Sequence, residues 1–70
     1  MNLTEHNGQQ VRAFWYPQGA EIRAEEGEKL VFQSEYHGTY DTSWIVVLDA
    51  EGKELKRHNA SQIGGWVWER

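Results

Sequence analysis

The sequence predicts an all-β fold, a single small domain with one antiparallel sheet of five to six short strands curled into a small barrel or a compact sandwich. Glycine occurs seven times in 70 residues, and no stretch repeats apolar residues at the 3.6 spacing of a helix. The runs between turn residues instead alternate with a period of two, as half-buried strands do. They are also rich in β-branched and aromatic side chains, which favour a pleated surface. Segments such as "GEKLVF" and "VLDAEGKEL" are strand-turn-strand idioms of many sandwich and barrel domains and identify architecture alone.

Taken in order, Met1 to Gly8 reads as a polar, flexible lead-in and residues 9–70 as the domain. "QQVRAFWYP" gives a strand with Val11, Ala13 and Trp15 on one side and Arg12, Phe14 and Tyr16 on the other, stopped by Pro17 and Gly19. A short strand follows in "AEIRAE", and the glutamate-rich turn leads into "KLVFQSEY", where Leu30, Phe32, Ser34 and Tyr36 alternate against Val31, Gln33 and Glu35. "HGTYD" is the next turn. "TSWIVVLD" is the strongest strand, and Gly52 in "DAEGKE" supplies the positive φ of a tight hairpin, so "ELKRH" should pair with it antiparallel. The last strand is "GWVWE".

The central strand raises the functional question. Trp44, Val46 and Leu48 point one way and Ile45 and Val47 the other, so both faces are apolar. Leu30 and Phe32 are expected beside the first set and Val31 beside the second. An uncovered apolar cluster is an association site, which makes Ile45 and Val47 candidate contact residues. Trp66 and Trp68, two apart, share a strand face, and Gly64-Gly65 just before them permits a sharp bend. They are expected either as a lid on the sheet or as binding anchors, because tryptophan dominates contact hot spots.

Composition bounds the chemistry. There is no cysteine, so no disulfide and no thiolate metal site. No metal or other cofactor is expected either: His6, His37 and His58 lack ligand spacing. "HGTYDTS" gathers His37, Thr39, Asp41 and Ser43, but a polar turn is the simpler account, and the chain is read as non-enzymatic. Eleven acidic against seven basic residues give a net charge of −4, which opposes direct binding to nucleic acid. "KELKRH" is the one basic cluster, and it reads as a solvated hairpin arm. The start "MNLTEHNGQQ" lacks the pattern of a signal peptide and no run is long enough for a membrane helix, so a cytoplasmic location is expected and the sequons at Asn2 and Asn59 read as chance matches.

The expected function is therefore protein–protein contact: a small acidic binding module or inhibitor that also self-associates, as a homodimer or larger homo-oligomer, through its aromatic C-terminal strand. Glu25, Glu26 and Glu28 crowd one turn and support an alternative, a phage-type inhibitor of a host defence nuclease that mimics nucleic acid. A second alternative is a ligand-binding module that stacks its ligand on an aromatic platform, with Trp15, Tyr16, Phe32, Tyr36 and the terminal Trp66 and Trp68 as the available rings.

Overall fold

The computed structural model describes residues 3–70; Met1 and Asn2, with the Asn2 sequon, lie outside the described residues. The protein is all-sheet, as the alternation predicts. Its strands are β1 (Gln10–Trp15), β2 (Glu21–Arg23), β3 (Lys29–Tyr36), β4 (Asp41–Leu48), β5 (Glu54–Asn59) and β6 (Gly65–Trp68). Two single 3-10 turns, Thr4–His6 and Ala60–Gln62, are the helical elements among the described residues. Among the described residues no helix is long and apolar enough to cross a membrane.

All pairings are antiparallel, and five of the strands form a curled half-barrel. β6 lies along β1 from Val11 to Trp15, so the opposite edge of β1 is shared: β2 pairs with Ala13–Trp15 and β3 with Gln10 and Val11. β3, β4 and β5 then follow as two long hairpins. The second hairpin closes at Gly52, whose φ of 84° is readily adopted by glycine, while the Asp49 carboxylate accepts the backbone N–H of Glu51 and Lys53.

Val11, Phe14, Leu30, Phe32, Ile45 and Val47 form the core inside the curl. Phe14 and Ile45 are fully enclosed, and burial of each such side chain stabilises the fold by roughly 1.5–3 kcal/mol. The register corrects the expected faces. Leu30 stands opposite Val47 and Phe32 opposite Ile45, while Val31 stands opposite Val46. Residues directly opposite share a face. Leu30 and Phe32 therefore join Ile45 and Val47 inside, and Val31 joins Trp44, Val46 and Leu48 outside.

β1 departs from the expected alternation for a different reason. Its pairing with β6 slips between Val11 and Ala13, leaving Arg12 as the extra residue of a bulge. The slip resets the phase. Val11 and Phe14, three apart, both enter the core, whereas strict alternation would have separated them.

In the segment before β1, expected as a flexible lead-in, the Leu3 N–H donates to Asp41 of β4, and Asn7 and Gly8 are tied to β3. The Asn7 side-chain amide donates to the Ser34 carbonyl at 3.1 Å and its oxygen accepts the Ser34 N–H at 2.6 Å, taking the place of a neighbouring strand's peptide group. The Gly8 N–H continues the ladder to the Phe32 carbonyl. At the other end Asn59 caps the turn into β6, its side-chain oxygen accepting both the N–H and the hydroxyl of Ser61.

Candidate functional site

The terminal tryptophans are assembled into the wall of the curl. Trp66 stands opposite Phe14 and Trp68 opposite Val11, so both rings reach the core face. Trp66 stacks on Phe32 at 5.5 Å between centroids, and Trp68 meets the same ring edge-on at 5.3 Å. His6 stacks on Trp68 at 5.4 Å and meets Phe32 edge-on at 6.4 Å. Both indoles are half-buried. The glycines before them serve a close approach: neither has a positive φ, and a Cβ on Gly64 or Gly65 would lie 2.8 or 2.7 Å from the Trp15 indole. Trp15, opposite Gly65, lies over the space that two missing side chains leave.

Ile45 and Val47, expected as contact residues, are 0% and 4% exposed. They hold the centre of the core, and Val47 also reaches the floor of a depression at the seam between β2 and β5. Glu25, Glu26 and Glu28 lie in the turn between β2 and β3, where the Glu28 N–H closes the turn on the Glu25 carbonyl. Glu25 and Glu28 share a depression of about 370 Å³ with Arg23, Lys56, Ile22, Val47 and the exposed Leu55, at the open seam between β2 and β5. Charge there is mixed.

The polar groups weighed for catalysis go separate ways. His37 Nε2 lies 3.0 Å from Thr42 Oγ1, Ser43 Oγ lies 3.0 Å from Ser34 Oγ, and Asp41 accepts the Leu3 N–H. Among the described residues no three of His, Cys, Asp and Glu are placed to hold a metal ion. His58 sits on the core face beside Phe14, with Nδ1 3.0 Å from the Tyr16 hydroxyl and Nε2 buried without a hydrogen-bond partner among the described residues. Burial, then the nearby Lys56 charge, holds its pKa below the ordinary histidine value.

The apolar face left over is the outer face of β3, β4 and β5. Its middle row is Trp44, Val46 and Leu48, with Val31, Gln33 and Glu35 on one flank and Arg57 and Glu54 on the other. Together they line a depression of about 440 Å³. Arg57, opposite Val46, reaches diagonally to Trp44, its guanidinium carbon 5.3 Å from the ring centroid. Glu54 grips that guanidinium through both oxygens, at 2.6 and 2.9 Å. The pairing raises the Arg57 pKa and lowers that of Glu54, chiefly through the hydrogen bonds, and Glu35 adds to the field on Arg57.

The residues of "KELKRH" thus divide: Arg57 to the outer face, His58 to the core, Lys56 to the seam. Sequence reading placed Arg57 in a solvated arm and missed its seat on Trp44. No family model, curated protein or solved structure matches the chain, so the functional reading rests on these residues.

Proposed function

We propose that this protein is a non-enzymatic contact module that docks another protein chain on the outer face of β3–β5, and that without a partner it self-associates through the same face. The observation that supports this reading is the pair Trp44 and Leu48, half-buried at the two ends of a second apolar row whose middle, Val46 with Val31 beside it, is 2% and 9% exposed, on a sheet whose core already occupies the other face. Trp44 and Leu48 retain exposed surface, and Trp and Arg are the side chains that most often dominate interfaces. Both charge signs border the row, Glu35 and Glu54 against Arg57 and Lys29, which suits a two-fold arrangement in which one copy's acids meet the other's bases.

Leu48→Glu tests the reading, because it places a charge on the outer face without entering the core. Sedimentation equilibrium across a concentration series is expected to give a rising mass for the wild type and a constant single-chain mass for the variant, with both equally folded by circular dichroism. A variant that associates as the wild type does would move the contact elsewhere.

A further inference from the structure

We infer that the docking face recognises a cationic side chain, an arginine presented by the partner protein on an extended segment, and that Arg57 is an internal occupant of that same seat. This rests on the contact reading above and names the partner's chemistry. The seat has three parts: the Trp44 ring as a platform, the Glu54 carboxylate as a bidentate acceptor, and the Glu35 carboxylate on the opposite rim of the depression. These are the groups a guanidinium uses, a π face for its plane and carboxylates for its N–H fork. The chain itself demonstrates the fit, since Arg57 already engages Trp44 and Glu54 there.

The geometry also favours exchange. Arg57 and Glu54 remain substantially exposed, with side chains at 43% and 42%, so the resident pair is screened and open to competition. Leu48, the apolar residue of the floor that keeps exposed surface, would receive the aliphatic stem of an incoming arginine or the apolar neighbours on its strand. A protein of net charge −4 attracts a basic partner from a distance.

The test is a titration of the 15N-labelled protein with the blocked peptide Gly-Val-Arg-Val-Gly and with the same peptide carrying neutral citrulline for arginine, following the Trp44 indole N–H, assigned with Trp44→Phe. The arginine peptide is expected to shift that resonance and the citrulline peptide to leave it in place. Glu54→Gln and Glu35→Gln should each weaken binding roughly two- to fivefold, while Arg57→Gln, which vacates the seat, should tighten it by a similar factor. Arg57→Met, which keeps the aliphatic stem over Val46, serves if the glutamine variant does not fold. Equal shifts with both peptides, no shift with either, or unchanged or weaker binding by the Arg57 variants would overturn the inference. The contact reading has a separate readout: if Leu48→Glu still abolishes association while arginine peptide fails to bind, only the cationic preference is lost.

Discussion

The two faces of one three-stranded segment, β3–β4–β5, carry similar apolar residues to different ends. Inward, Leu30, Phe32, Ile45 and Val47 are at most 4% exposed and are sealed by Phe14, Trp66 and Trp68 from across the curl. Outward, Val31 and Val46 are 9% and 2% exposed, while Trp44 and Leu48 at the two ends of the row are half-buried, and one long charged side chain, Arg57, crosses it. Hydrophobicity alone does not separate a core from a contact surface. What separates them here is the ends of the row: β1 and β6 return over the inner face only, and outside, Trp44 and Leu48 keep exposed surface while Val31 and Val46 between them do not.

Substitutions should read this difference directly. Phe32→Ala opens a cavity beneath both terminal tryptophans and is expected to destabilise by about 3–5 kcal/mol, most of the stability available to a domain of this size; urea unfolding measures it. Trp68→Ala removes a half-buried ring of the wall and should lower stability by about 2–4 kcal/mol on the same measurement. A Trp68 variant that kept full stability while losing association would return the terminal strand to the role of contact surface. Gly65→Ala drives a methyl into Trp15 and should cost about 1–3 kcal/mol, relieved when combined with Trp15→Leu.

The pH response sharpens the inner side of the comparison. Burial, then the Lys56 charge, lowers the His58 pKa in the fold, so the unfolded chain binds its proton more readily. Its contribution is present in full above the ordinary pKa of about 6.5 and is lost as pH falls from there through the lowered folded value. Stability of the wild type should therefore drop over this window relative to His58→Gln, in denaturation series at matched pH. The smallest effect belongs outside: Leu48→Glu should change stability by less than about 1 kcal/mol while removing association.

Much of the architecture was legible from the residues. The "HGTYD" and "DAEGKE" turns mark the two long hairpins, and the β-branched run of β4 marks the sheet's centre. What escaped was phase. Two bulges, at Arg12 in β1 and at Leu55 in β5, insert a residue into the pairing, and neither carries a glycine to announce it. Assigning faces failed because Trp44-Ile45-Val46-Val47-Leu48 is apolar on both sides, and a period of two says which residues share a face but not which face turns inward. Register settles that, and the signal was present: counting back from Tyr36 opposite Asp41 reaches Val31 opposite Val46. The seat of Arg57 depends on the diagonal neighbour across β4 and β5, which no single strand displays.

The most direct measurement is a methyl and indole NMR comparison of dilute and concentrated wild-type protein. The account predicts concentration-dependent shifts at the Leu48 methyls and the Trp44 indole, with the Ile45, Val47 and Leu30 methyls unmoved. Shifts gathered instead around Ile22 and Leu55 at the seam, or a spectrum that does not change with concentration, would contradict it.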